Sequence, residues 1–139
     1  MKSSFRTTFE ELLARNKNIK PRKKSSEEEH HLQVACVQWF RLQYPTMRHN
    51  LFAVPNGGRR DKVTGGKLKA EGALAGVSDL ILLKQSKGYG ALLIEMKTDK
   101  GKQSTGQQEW QKKIEQDGYK YVICRSLDEF MNEIKEYLS

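Results

Sequence analysis

The stretch from residue 76 to residue 97 reads GVSDLILLKQSKGYGALLIEMK and decides the fold. It holds two apolar runs, Asp79–Lys84 and Ala91–Thr98, separated by a polar turn that contains glycine. Short apolar runs bounded by turn residues predict β-strands, here paired as an antiparallel hairpin. Because both runs are apolar almost without interruption, we expect central strands that are covered on both faces.

This hairpin carries charged side chains that a purely structural strand would not need. Residues two apart on a strand share a face, so Glu95 and Lys97 point the same way. With the turn centred near Lys87, Asp79 lies opposite Glu95, with about 5 Å between their Cβ atoms. Two carboxylates that close repel each other unless a cation lies between them, and hard divalent cations bind oxygen ligands. The alternative is a solvated strand pair with Asp79 capping a turn, but charges on buried strands are costly unless they serve a site.

The rest of the chain predicts helices and strands around the hairpin, from apolar residues at helical spacing, capping residues and turn signals. The expected elements are a helix over Ser26–Gln43 with a Ser26–Glu29 capping box, a strand over Asn50–Val54, a short helix near Lys67–Glu71, a helix capped by Ser104 or Thr105 and running to about Asp117, a strand over Tyr119–Cys124, and a final helix opened by a Ser126–Glu129 capping box. This order predicts an α/β fold, a small mixed sheet flanked by helices.

The composition is that of one polar domain. The chain has 139 residues, of which 37% are hydrophobic and 30% charged, enough for one core with little room for a second. No run approaches the roughly 18 apolar residues of a membrane span, and the N-terminus lacks the apolar stretch of a secretory signal. Cys36 and Cys124 are expected to be small buried side chains rather than a disulfide framework. We therefore expect a cytoplasmic protein that is not secreted and has no membrane partner.

The net charge of +8 is concentrated in residues 1–24 and 41–102. A basic balance suits polyphosphate ligands, because each neutralised phosphate releases condensed counterions. Residues 1–26 are predicted to be a basic N-terminal arm, separate from a folded domain over residues 27–139.

Five short motifs occur along this domain. They are Glu29-His-His-Leu-Gln33, Val54-Pro-Asn-Gly-Gly58, Gly76-Val-Ser-Asp79, Glu95-Met-Lys97 and Gln107-Gln-Glu-Trp110. In this order the sequence resembles the virus-type replication-repair nuclease (VRR-NUC) domain of the PD-(D/E)XK nuclease superfamily, over about residues 27–130. Ser78 departs from the family, which usually has proline there; that proline shapes the strand entrance and carries no chemistry. The resemblance implies a restriction-endonuclease-like PD-(D/E)XK core.

The resemblance also implies a metal site. Asp79 and Glu95 would bind Mg²⁺ or Mn²⁺ together with the backbone carbonyl of Met96. Lys97 would position the attacking water.

Two further residues are implied by the resemblance, and the residues themselves leave alternatives for both. Glu29 would reach the metal from the first helix, although it is equally the capping partner of Ser26, and Glu28 lies near the same face. Gln107 would complete the site, although it is equally a cap for Ser104. It precedes Trp110 by three residues and so faces the sheet.

The DNA contacts are predicted from glycine-rich and basic segments that flank the motifs. Glycine lets the chain approach a phosphate backbone, and lysine and arginine neutralise phosphates. The predicted contacts are Asn56, Gly57, Gly58, Arg59, Arg60, Lys62, Lys67, Lys69, Lys100 and Lys102.

Together these features predict a metal-dependent DNA endonuclease. Stand-alone members of the resembled family look like enzymes for branched DNA, including four-way junctions, whose products carry 5′-phosphate and 3′-hydroxyl ends. A homodimer is expected, because two cuts at a two-fold symmetric junction need two sites. The alternatives are a restriction-type, sequence-specific endonuclease and a non-catalytic nucleic-acid-binding module on a nuclease-like fold. The presence of Asp79, Glu95 and Lys97 favours the enzyme.

Overall fold

The computed structural model describes residues 24–55 and 62–139 of the chain. Its elements are helix α1 (Lys24–Gln43), a 3₁₀ turn (Pro45–Met47), strand β1 (Leu51–Ala53), helix α2 (Lys62–Ala70), strand β2 (Leu80–Leu82), strand β3 (Leu92–Met96), helix α3 (Thr105–Gln116), strand β4 (Lys120–Cys124) and helix α4 (Leu127–Leu138). Within the described ranges, no helix has the length and apolar character needed to cross a membrane.

The strands form a mixed four-stranded sheet in the order β1-β2-β3-β4. β1, β2 and β3 pair antiparallel, and β4 lies parallel to β3. The β2–β3 hairpin pairs Leu80 with Ile94 and Leu82 with Leu92, which is the register predicted from the turn. Lys87, at the predicted centre of that turn, adopts the left-handed conformation, with φ of 52°. The α/β class and the mixed sheet are confirmed.

Strand β3 is buried along its whole length because helices cover both faces of the sheet. One face of β3 packs on α1 and α4, in a core formed by Cys36, Phe40, Leu51, Leu80, Leu82, Leu92, Ile94, Met96, Cys124, Phe130, Ile134 and Tyr137. The other face packs on α3, in a smaller core that contains Ala91, Leu93, Trp110, Ile114 and Tyr121. Both cysteines are buried, as expected. Since side chains alternate along a strand, Glu95 lies on the α3 side with Leu93.

Several boundaries differ from the expectation. Helix α1 begins at Lys24, so Ser26 lies inside the helix and the prediction of Ser26 as its N-cap is wrong. Only one of the two hydrogen bonds of the predicted capping box at α4 is formed. Ser126 Oγ accepts the Glu129 N–H at 3.1 Å, but the Glu129 carboxylate accepts the N–H of Arg125, at 2.6 Å, instead of the N–H of Ser126. Helix α2 begins at residue 62, before the predicted start. Most of the predicted basic arm, residues 1–23, lies outside the described residues.

Candidate active site

The carboxylates of Asp79 and Glu95 meet at one end of the β2–β3 hairpin. Asp79 immediately precedes β2, and its Oδ2 accepts the main-chain N–H of Met96 at 2.7 Å. The carbonyl of Asp79 accepts the N–H of Val54 at 2.9 Å, so the end of β1 holds the same residue from its other side. Backbone groups of two neighbouring strands thus fix the position of the Asp79 side chain.

Glu95 is a buried carboxylate with hydrogen-bond donors on both oxygens. It is 2% exposed. Its Oε1 accepts the side-chain amide of Gln107 at 2.9 Å, and its Oε2 accepts the hydroxyl of Tyr121 at 3.3 Å. Burial, and then the charge of Asp79, raise the pKa of Glu95 to about 8. Near neutral pH the carboxylate pair therefore holds a proton unless another cation takes its place.

Lys97 immediately follows β3 and points to the same side as Glu95. Its Nζ lies 3.6 Å from Glu95 Oε1, and its side chain is 13% exposed. The loop behind it lies close, since a Cβ added at Gly101 would be 3.3 Å from Lys97 Cδ. Arg125 holds this loop, because its Nη1 donates to the carbonyls of Thr98 and Gly101, each at 2.7 Å. The lysine stem is therefore confined between β3 and a fixed loop.

Glu29 lies where α1 passes the end of the hairpin. Burial raises the pKa of Glu29, the charge of Lys97 lowers it, and the charge of Asp79 raises it, so the three side chains are within electrostatic reach. Glu29 also lines a groove of about 600 Å³ that runs between α1 and the end of β1 and includes Asp79 and Met96. Glu28 is exposed and is not among the residues that line this groove. The structure thus places Glu29, rather than Glu28, beside the carboxylate pair.

Gln107 caps α3 and also contacts Glu95, while its role at a metal site stays a prediction. Its Oε1 accepts the N–H of Ser104 at 2.9 Å, and its own N–H donates to Ser104 Oγ at 3.2 Å, which is a complete capping box for α3. Its side-chain NH₂ group is then free to donate to Glu95. One amide group caps the helix with its oxygen and contacts the site with its nitrogen.

A glycine contact joins the loop before Asp79 to the start of α3. Gly76 has φ of +88°, and a Cβ added there would lie 2.8 Å from the carbonyl oxygen of Gly106. Only glycine fits this approach without displacement of one of the two backbones. The contact places Asp79 and Gln107 on segments that touch each other.

Tyr121 is a residue at this site that the sequence analysis missed. It lies on β4 opposite Leu93 and is 7% exposed, with its hydroxyl on Glu95. Its strand was predicted, but its partner on β3 was not. Parallel strands are joined by a crossover helix rather than by a short turn, so the connection does not fix which residues pair. The available signal was a tyrosine on the strand following the helix that carries Gln107.

The predicted DNA contacts are placed only in part. Residues 56–60 lie outside the described residues, and Lys62 begins α2. Lys67 and Lys69 are exposed on α2, and Lys100 and Lys102 are exposed in the loop that follows β3. Their contacts with DNA stay a prediction.

The donor set fits a hard divalent cation. The carboxylates of Asp79 and Glu95 converge and Glu29 lies beside them, and all are oxygen donors. In residues 24–55 and 62–139, no three His, Cys, Asp or Glu side chains are grouped closely enough to hold an ion by themselves. Mg²⁺ is commonly bound by one or two carboxylates, with water and substrate phosphate as its other ligands. The arrangement therefore suits Mg²⁺ or Mn²⁺ with water as the other ligands, and with phosphate among them when DNA is bound.

Two comparisons with known proteins found a match for the chain. A family model described as "VRR-NUC domain" matches residues 26–128. Among solved structures, the chain is similar to a protein titled "VRR_NUC domain protein", with 24% identity, a TM-score of 0.69, and coverage of 79% of this chain and 87% of that chain. At this identity the structural likeness concerns the fold. No curated protein matches the chain.

Proposed function

Since the chain belongs to the VRR-NUC family of nuclease-type domains, we propose that it is a metal-dependent endonuclease that hydrolyses the phosphodiester bonds of DNA. The observation that carries this proposal is the pairing of Asp79 with Glu95 beside Lys97. A buried carboxylate (Glu95) in contact with a second, half-buried one (Asp79) is costly for a fold, and a bound cation offsets that cost.

The chemistry follows from what each side chain can do. Asp79 and Glu95 would hold Mg²⁺ or Mn²⁺, with the carbonyl of Met96 and with Glu29 as further oxygen donors. When bound, the cation would neutralise charge on the phosphate and lower the pKa of water. Lys97, whose ammonium lies 3.6 Å from Glu95, would orient the attacking water molecule. Cleavage of the P–O3′ bond leaves a 5′-phosphate and a 3′-hydroxyl.

Branched DNA, including four-way junctions, is the proposed substrate class, and a homodimer is the proposed working form. Each chain has one Asp79–Glu95 pair. Release of a four-way junction takes two cuts, and a two-fold dimer presents two such sites with the matching symmetry. The exposed lysines on α2 and on the loop after β3, which flank the pair in the sequence, support phosphate contacts.

A panel of end-labelled substrates tests this proposal. Single-stranded, flap, fork, duplex and four-way DNA are incubated with the protein and Mg²⁺, with and without EDTA. The wild type should cut branched DNA with Mg²⁺ only, and Asp79→Asn should not. Asp99→Asn, at an exposed carboxylate after the same strand, is the matched control and should cut as the wild type does.

The other outcomes separate the alternatives. DNA binding without metal-dependent cutting of any substrate would show a non-catalytic module. Cutting of linear duplex at one sequence, with branched DNA left intact, would show a restriction-type enzyme.

A further inference from the structure

A chain of hydrogen bonds runs from Glu95 to the surface of α3. The hydroxyl of Tyr121 donates to Glu95 Oε2 at 3.3 Å, and Gln103 Nε2 donates to that hydroxyl oxygen at 3.3 Å. The same nitrogen of Gln103 donates to Gln111 Oε1 at 2.8 Å. Gln111 Nε2 in turn donates to Glu115 Oε1 at 2.7 Å. A polar path thus links the buried carboxylate to an exposed one.

The exposed end fixes the direction of every bond in this chain. The Glu115 carboxylate oxygen accepts from Gln111, so Gln111 turns its NH₂ group to Glu115 and its oxygen to Gln103. Gln103 must then present its own NH₂ group, whose two hydrogens serve Gln111 and Tyr121. The Tyr121 oxygen accepts one of them, so its single hydroxyl proton is directed to Glu95.

Packing keeps the Tyr121 ring in place. The ring lies edge-on to Trp110, with 6.1 Å between centroids, and belongs to the core under α3. The residue is 7% exposed, so water has little access to its hydroxyl. The ring and the direction of the proton are therefore both set before any ligand binds.

We propose that Tyr121 is a positioning residue for the metal site, and that Gln103 acts through it. The inference rests on the proposed function, since it assigns these residues to the orientation of a metal-binding carboxylate. Tyr121 holds Oε2 and Gln107 holds Oε1, so the plane of the carboxylate is fixed and each oxygen keeps a lone pair for a cation. Partners that orient a ligand in this way typically contribute about 10- to 100-fold in metal affinity or activity.

Calorimetric titration of the DNA-free protein with Mn²⁺ tests the role of Tyr121. Tyr121→Phe keeps the ring and its packing but removes the hydroxyl, and we expect the Mn²⁺ dissociation constant to rise by about 10-fold. Tyr119→Phe, on an exposed ring outside the hydrogen-bonded chain, is the matched control and should bind as the wild type does. The melting temperature in EDTA reports whether each variant folds.

A double-mutant cycle tests the role of Gln103. Gln103→Leu alone should weaken Mn²⁺ binding, and it should have no further effect in the Tyr121→Phe background, because its partner hydroxyl is gone. Additive losses would show that Gln103 acts elsewhere and would overturn its assignment. Should Tyr121→Phe not fold, Gln103→Leu alone decides: unchanged Mn²⁺ affinity overturns the inference.

The inference and the proposed function fail in different ways. Wild-type and Tyr121→Phe proteins with equal Mn²⁺ affinity and equal cleavage rates would overturn the positioning role and leave the nuclease intact. A wild-type protein that neither binds Mn²⁺ nor cuts DNA would overturn the proposed function, and this inference with it.

Discussion

Raising the pH from about 5 to about 8 in EDTA should destabilise the metal-free protein through Glu95. This carboxyl is 2% exposed, and burial followed by the charge of Asp79 raises its pKa from 4.5 to about 8. Between those values the folded chain keeps a proton that the unfolded chain has released. The folded state then binds more protons, so the free energy of unfolding falls as the pH rises.

The size of the effect is set by that one proton. The free energy of unfolding falls by at most about 1.4 kcal/mol per pH unit, and the total stability of a protein is typically about 5–15 kcal/mol. Two pH units therefore remove a measurable share of the stability. Below pH 4.5 the folded and unfolded chains are both protonated at this group, and the contribution becomes constant.

Urea unfolding at several pH values in EDTA measures this slope. Glu95→Gln keeps the shape of the side chain but has no proton to release, so its stability should depend less steeply on pH. Glu28→Gln, at an exposed position on α1, should keep the wild-type slope. An equal slope for Glu95→Gln and the wild type would refute the reasoning.

Three further predictions follow from the same geometry. Mg²⁺ should raise the melting temperature more at about pH 8 than at about pH 6, because Glu95 must lose its proton to bind a cation; equal shifts in scanning fluorimetry would contradict this. Gly76→Ala should cost about 2–4 kcal/mol in urea unfolding, from left-handed strain and from contact with the Gly106 carbonyl. Gly72→Ala, also at positive φ but with nothing within 4 Å, should cost less, and equal costs would refute the role of the contact. Light scattering should give twice the chain mass of 16.0 kDa, and a mass near 16.0 kDa with and without DNA, alongside full activity, would exclude the dimer.

The carboxylate pair was predictable because a hairpin with a short turn sets its own register. A one-residue slip would move every apolar side chain of β2 and β3 to the opposite face, so the pattern and the turn agree on one pairing. That pairing places Asp79 beside Glu95. The N-terminal cap of α3 was also predictable from the sequence, since Ser104 and Gln107 have the spacing of a capping box.

Other features depend on contacts between distant segments. The choice between Glu28 and Glu29 is a rotation of about 100° on α1, and it is decided by how that helix crosses the sheet. The prediction of Ser26 as the N-cap of α1 was wrong because local spacing does not reveal that the helix extends back to Lys24. The position of Tyr121 next to Glu95 depends on the parallel register of β4 against β3. The α3 crossover sets that register only through packing.

Single-turnover cleavage of a labelled four-way junction, with binding measured on the same samples, tests the central claim most directly. The comparison is between the wild type and Glu95→Gln, in Mg²⁺. Loss of the Glu95 charge weakens metal binding but also reduces repulsion of the phosphates. We therefore expect Glu95→Gln to bind the junction at least as tightly as the wild type and to cut it at least about 100-fold more slowly. Cleavage by Glu95→Gln near the wild-type rate would contradict the assignment of this site.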